Sequence, residues 1–250
     1  MAEHETRAVI LAGGKGTRLH PLTRITNKHL LPIYDRPMVT YAIEALVKAG
    51  LTELMLVTGG MHAGEFFRLL GNGHDHGIDR LLYAYQEEEG GIADALALAE
   101  RFVDRDRVLV MLADNVFERS IRMAVENFER QERGGRIVLA HLPETEHLRH
   151  LGVAELEGDR VLGIVEKPEE PQSEYAVTGV YFYDEAVWEV IPTLEPSGRG
   201  ELEITDVNNW YVEQGTMEYD VLEGFWGDAG ESIDAYYEVN DFVRQNGVNK

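Results

Sequence analysis

The residues best suited to chemistry stand near the start of the chain, in Leu11-Ala12-Gly13-Gly14-Lys15-Gly16-Thr17-Arg18-Leu19 and then Asn27-Lys28-His29-Leu30-Leu31-Pro32. An apolar run, Ala8 to Ala12, fits a short buried strand that three glycines then break. Glycine lets backbone N–H groups approach a ligand with no Cβ in the way. Arg18 offers a fork of donors matched to phosphate oxygens, and Lys15 and Lys28 add mobile positive charge. Between Arg7 and Arg36 the chain carries six basic residues and one acid, an island of net +5 in a chain of net −22. Strand, glycines and basic cluster together fit a polyphosphate loop better than a glycine surface turn with incidental charges.

Two familiar phosphate loops are excluded. A Walker A loop needs G-x-x-x-x-G-K-[S/T], which the chain lacks. The dinucleotide fingerprint needs a glycine where Leu19 stands. What remains, L-A-G-G-x-G-T-R-L with a lysine ten residues after the arginine, resembles the signature of the sugar-1-phosphate nucleotidyltransferases. From about Arg7 to Phe242 the chain resembles their short-form glucose-1-phosphate thymidylyltransferase branch.

Asp114 follows the apolar run Val108 to Leu112, and Asp228 lies in Phe225-Trp226-Gly227-Asp228-Ala229-Gly230. Two carboxylates at a polyphosphate site suit a hard Mg²⁺ that also bridges phosphates. Taken alone, either aspartate reads better as a turn or cap residue than as a metal ligand. The resemblance places both as metal ligands, because L-x-D-N and W-x-D-x-G are where that family holds its metal. It likewise places Glu166-Lys167-Pro168 at a sugar-phosphate pocket, where a bare E-K-P would read as an exposed ion pair before a turn. The proline is expected to keep Lys167 extended.

The remaining roles also come from the resemblance. Leu11, Gly13, Gly14, Gly16, Thr17, Arg18, Lys28, His29, Gln86, Gly91 and Asp114 fall to the nucleotide. Asn115, Gly152, Glu166, Lys167, Val177 and Arg199 fall to the sugar phosphate. Arg18, Lys28, Asp114, Lys167 and Asp228 would carry the reaction. Gln86 can pair with the imide edge of thymine or uracil without separating them. The implied reaction is attack of α-D-glucose 1-phosphate on dTTP, giving dTDP-glucose and pyrophosphate. A UTP-dependent enzyme, another sugar 1-phosphate, and a catalytically silent sugar-nucleotide-binding protein are the alternatives. Leu151, Ala113, Asp94, Ala229 and His29 depart from the family's common residues, at positions that bear on selectivity more than on the reaction. Assembly into a homo-oligomer is also implied.

Composition narrows the class. The chain has no cysteine, so disulfides and thiolate chemistry are excluded. A net charge of −22 argues against nucleic acid and anionic membranes as partners. No apolar run reaches the roughly 18–20 residues that span a bilayer, and the polar stretch Met1 to Arg7 has no signal-peptide core. A cytoplasmic protein is the expectation. His74-Asp75-His76 has no partner motif, and His141, His147 and His150 lack zinc spacing.

The elements that must position these residues alternate through the first half. Strands are expected over Glu53 to Thr58, Leu81 to Gln86, Val108 to Leu112 and Ile137 to His141. Helices are expected over Met38 to Ala49, His62 to Leu70, Ile92 to Val103 and Ile121 to Arg133. In the second half, strands are expected at Val153 to Glu157, Val161 to Glu166 and Ala176 to Tyr183, with helices over Glu201 to Glu213 and Ser232 to Arg244. The pattern predicts a single α/β domain over 1–250, a Rossmann-like, mostly parallel but mixed sheet flanked by helices. Its nucleotide-facing half would cover about 7–118 and its sugar-facing half about 119–250.

Overall fold

A computed structural model describes residues 6–143 and 145–250, so most of the polar N-terminal stretch lies outside the described residues. The chain runs through β1 (Arg7–Ala12), the short strands β2 (Pro32–Ile33) and β3 (Arg36–Pro37), α1 (Val39–Ala49), β4 (Glu53–Gly59), α2 (Ala63–Leu70) and β5 (Arg80–Gln86). It continues as α3 (Ile92–Ala97), α4 (Glu100–Val103), β6 (Val108–Leu112), β7 (Asn115–Phe117), α5 (Arg122–Arg130), β8 (Gly135–His141) and α6 (Thr145–Leu148). Next come β9 (Gly152–Glu157), β10 (Arg160–Glu166), β11 (Tyr175–Tyr183), α7 (Val187–Val190) and α8 (Ile204–Glu213). The last elements are β12 (Met217–Val221), β13 (Trp226–Asp228) and α9 (Ile233–Asn246). Among the described residues, nine strands belong to a mixed sheet flanked by helices, the architecture expected from the alternating pattern.

Two compact units divide the chain. The first comprises Arg7–Glu89, Met111–Met123 and Gly224–Lys250. Within it β1 pairs with β4, and β4 with β5, all parallel. Ile10 faces Leu56 in register, and Leu56 faces Tyr83. From Ala8 to Ala12 and from Leu54 to Thr58 no residue is more than slightly exposed, as the continuous apolar runs require of parallel strands covered on both faces. Helix α1 stops where expected: Gly50, at φ +99°, turns its N–H back onto Leu46 and Val47 carbonyls.

The second unit is built mainly from Gly90–Val110 and Ala124–Glu223. Here β10, β9, β11 and β8 pair antiparallel in that order, and β12 runs parallel to β8. The β9–β10 turn forms at Gly158, with φ +63°. Two details depart from the sequence reading. The helical run Ile92 to Val103 is two helices, because Leu98 and Ala99 leave the α-helical bonding pattern between them. β12 has no counterpart in the sequence reading, although Met217, Tyr219 and Val221 alternate with Glu218 and Asp220 as a half-buried strand requires. Arg136 on β8 meets both of those acids.

Among the described residues no helix is long and apolar enough to cross a membrane.

Leu56 is fully buried between two neighbouring strands. Leu56→Ala is expected to cost about 2–5 kcal/mol of stability in urea unfolding. A loss below about 1 kcal/mol would contradict this packing.

Candidate active site

The glycine loop leaves β1 at Ala12 and is shaped by its own backbone. Gly14 and Gly16 sit at φ +92° and +60°, conformations that side chains disfavour. Thr23 Oγ1 donates to the Gly16 carbonyl at 2.6 Å and closes the loop. A Cβ on Gly13 would lie 3.3 Å from Gln86 Oε1, so the amide at the end of β5 lies beside the loop. Leu11 is buried and its carbonyl accepts Ala113 N–H at 3.0 Å, which sets the residue before Asp114 beside β1. Thr17 and Arg18 are exposed in the short turn after the loop, and Lys15 reaches Glu89 at 3.3 Å.

One apolar cluster anchors the site residues by their chain neighbours. Leu19, Leu31, Val116 and Ala229 are all buried in it, together with Ile33, Met38, Tyr41, Tyr236, Val239 and Val243. Arg18, Asn115 and Asp228 are thus each followed by an anchored side chain, and Lys28 precedes Leu31 by three residues. Tyr41 and Tyr236 hold the intervening segment by donating to the Ile33 and Pro32 carbonyls.

At the centre Lys28 Nζ donates to Asp114 Oδ2 at 2.5 Å, with only 19% and 7% of the two side chains exposed. Burial alone would raise the Asp114 carboxyl, but the Lys28 and His29 contacts together outweigh it and hold the group well below the usual range. Burial likewise opposes the charge on Lys28, and Asp114 and Asp228 together overcome it and raise its pKa. His29 is driven the other way: burial, helped by the Lys28 charge, lowers its pKa. Its ring sits 3.8 Å from Asp114 and is held through Nδ1 by Asn27 Oδ1 at 2.9 Å. That oxygen also accepts the His29 N–H, while Asn27 Nδ2 donates to the Ala12 carbonyl at 3.2 Å.

Asp228 closes the other side. β13 pairs antiparallel with β7, so Asp228 stands opposite Asn115, and Ala229 N–H donates to the Asp114 carbonyl at 2.9 Å. Burial and the Asp114 charge push the Asp228 carboxyl up to about 7, the behaviour of two carboxylates sharing one space. Gly230 N–H donates to Asp228 Oδ1 at 2.8 Å. A Cβ on Gly230 would come within 2.5 Å of Asp114 Oδ2 and 2.9 Å of Lys28 Nζ, so glycine is required there.

These oxygens suit a hard divalent cation, whose charge would relieve the repulsion between Asp114 and Asp228. Among the described residues no group of three or more histidine or acidic side chains gathers to hold a metal alone. Substrate oxygens would complete such a site.

In the second unit, Gly152, Glu166 and Val177 meet. A Cβ on Gly152 would lie 3.5 Å from Glu166 Oε2 and 3.7 Å from Val177 Cβ. Thr205 Oγ1 donates to Glu166 at 3.0 Å, and Lys167 Nζ pairs with it at 3.0 Å. Lys167 is not extended as the proline suggested; its φ is +47°. Its N–H reaches the Leu151 carbonyl at 3.0 Å just past the last ladder pair, which carries the chain into that turn. Arg199 is held by Glu203 through two 2.9 Å contacts. Gly91, at φ +99°, packs against Leu202 so closely that a Cβ would meet its carbonyl at 2.5 Å.

Among the residues with no role in the sequence reading are Asn27, which brackets His29, and Trp226, which donates to Asn115. For Trp226 a signal existed: it stands two residues before Asp228 in a strand pattern, on the same face.

A fold and a paired-carboxylate, glycine-loop site of this kind define a nucleotidyl-transferring protein. The comparisons agree: a family model described as Nucleotidyl transferase matches residues 7–246, and the chain belongs to that family. The glucose-1-phosphate thymidylyltransferase of Neisseria meningitidis is 39% identical over 95% of this chain and 82% of the relative. That of an Actinoplanes strain is 40% identical over 95% and 78%. A crystal structure of a Bacillus anthracis protein provisionally given the same name, in complex with a sucrose, superposes with a TM-score of 0.91 at 42% identity, covering 98% of each chain.

In metal-free protein the raised Asp228 group contributes stability that is present at acidic pH and lost as pH rises through about 7. Asp114, Lys28 and Glu231 act on it, so the comparison is with Asp228→Asn, which removes this group's titration. Between pH 6 and 8 the natural protein should lose roughly 1 kcal/mol more than the variant, about 2–4 °C in Tm. Equal slopes in the two melting series would refute it.

Proposed function

We propose that the chain transfers a thymidylyl group from dTTP to α-D-glucose 1-phosphate, giving dTDP-glucose and pyrophosphate. The observation that carries this reading is the buried Lys28–Asp114 pair beside Asp228, with Gly13 of the phosphate loop against Gln86. Relatives of that activity, 38–40% identical over 95% of this chain, support the choice of reaction.

In this reading Gly13, Gly14, Gly16 and Thr17 present backbone to the triphosphate, and Arg18 and Lys28 bind its oxygens. Leu11 and His29 line the nucleotide site, and Gln86 and Gly91 take the base edge. Gly152, Glu166 and Val177 receive the sugar, with Asn115 contributing. Lys167 and Arg199 orient the sugar phosphate. A phosphate oxygen of the sugar attacks the α-phosphorus of dTTP in line; the bond to the β-phosphate breaks, and pyrophosphate leaves with the electron pair. No general base is required, because a phosphate monoester is already ionised near neutral pH. The chain's contribution is position and fixed charge. Mg²⁺, held by Asp114 and Asp228, supplies further charge neutralisation when bound.

The test is pyrophosphate release with glucose 1-phosphate and Mg²⁺, comparing dTTP, UTP, CTP, ATP and GTP. Release that requires the sugar phosphate and is at least tenfold faster with dTTP is expected. A preference for UTP would overturn the thymidylyl assignment. No release with any nucleotide, across several sugar 1-phosphates, would leave a binding protein.

A further inference from the structure

Asn115 is 2% exposed, and both ends of its amide are engaged. Trp226 Nε1–H donates to Asn115 Oδ1 at 2.7 Å, and Asn115 Nδ2 donates to Asp114 Oδ1 at 3.1 Å. An indole nitrogen can only donate, so the amide oxygen must face Trp226 and the amide nitrogen must face Asp114. Asp114 Oδ2 takes Lys28. Each carboxylate oxygen therefore has its own donor, which fixes the rotation of the group.

Trp226 and Asp228 stand two apart on β13, a three-residue strand paired with β7. The strand that carries one carboxylate also carries the indole that aims the other.

We propose that Trp226 is a positioning residue: through Asn115 it fixes the Asp114 carboxylate relative to Asp228 and so sets the geometry of the cation site. The inference rests on the reading of these two aspartates as the cation-binding pair. It assigns Asn115 a task besides the sugar contact. If Trp226 were only packing, as its 8% exposure would equally suit, its loss would not act through Asn115.

The experiment uses the natural protein, Trp226→Phe, Asn115→Ala and the double variant. Mn²⁺ affinity is read by electron paramagnetic resonance with dTTP present and no sugar phosphate, alongside kcat and KM. Trp226→Phe keeps an aromatic ring and loses the donor. It should weaken Mn²⁺ binding and kcat about tenfold, as the loss of a group that orients a metal ligand does, with KM for dTTP within about twofold. The double variant should be no worse than Asn115→Ala, since the two act in one chain. Losses that multiply, or Mn²⁺ affinity within about twofold of the natural protein in Trp226→Phe, would overturn the proposal. Should Trp226→Phe fail to fold, Asn115→Ala alone reads the link, and an affinity within about twofold overturns it just as well. A natural protein that binds no Mn²⁺ overturns both readings. One that binds it yet releases no pyrophosphate overturns the transferase reading alone.

Discussion

The contact on which the site depends is the 2.5 Å pair between Lys28 and Asp114. Both groups are almost out of water, where an unpaired charge is costly; removing one partner of such a pair typically costs about 3–5 kcal/mol. The pair, with the His29 contact, keeps Asp114 ionised against the pull of burial, and the ionised Asp114 then raises Asp228. His29 stays neutral beside them because it too is buried and faces the Lys28 ammonium. Burial sets the direction for Asp228 and His29, and the charges of this pair, Asp114 on the one and Lys28 on the other, add to it. The close approach of Gly230 leaves no room for the pair to spread.

What holds the contact in place is largely apolar. Arg18, Lys28, Asp114 and Asp228 come from four separate stretches of chain, and a neighbour from each stretch is buried in one cluster. That arrangement turns packing into precision: Leu19, Leu31, Val116 and Ala229 cannot shift without disturbing a shared core. The glycine loop gains its shape differently, through positive φ angles and the Thr23 hydroxyl. A rigid base and a backbone-lined loop are what a polyphosphate requires, fixed charge on one side and N–H groups on the other.

Much of this was legible in the sequence because the signals are local. The run into Gly13, the stop at Gly50 and the Gly158 turn each follow from a few adjacent residues, and the structure places all three as expected. Long-range partners were not legible. That Trp226 reaches Asn115, and that Asn27 brackets His29, depends on how β7 and β13 pair and how the loop folds back. β12 carries a local strand signal in its alternating residues, and only its pairing with β8, where Glu218 and Asp220 meet Arg136, lay beyond local reading. Lys167 departs from the extended backbone that a residue before proline prefers, taking a positive φ while its N–H bonds to Leu151 on the neighbouring segment. The carboxylate pair carried a motif, but its coupling became visible only in three dimensions.

The 2.5 Å contact implies a competition, since Lys28 holds an Asp114 oxygen that the proposed cation would share. It is tested most directly by calorimetric Mn²⁺ titration of nucleotide-free protein, comparing the natural chain with Lys28→Met, which keeps the apolar stem and loses the charge. If the ammonium competes for Asp114, the variant should bind Mn²⁺ at least about tenfold more tightly, the equivalent of about 1.4 kcal/mol. An affinity that is unchanged or weaker in the variant would contradict the account.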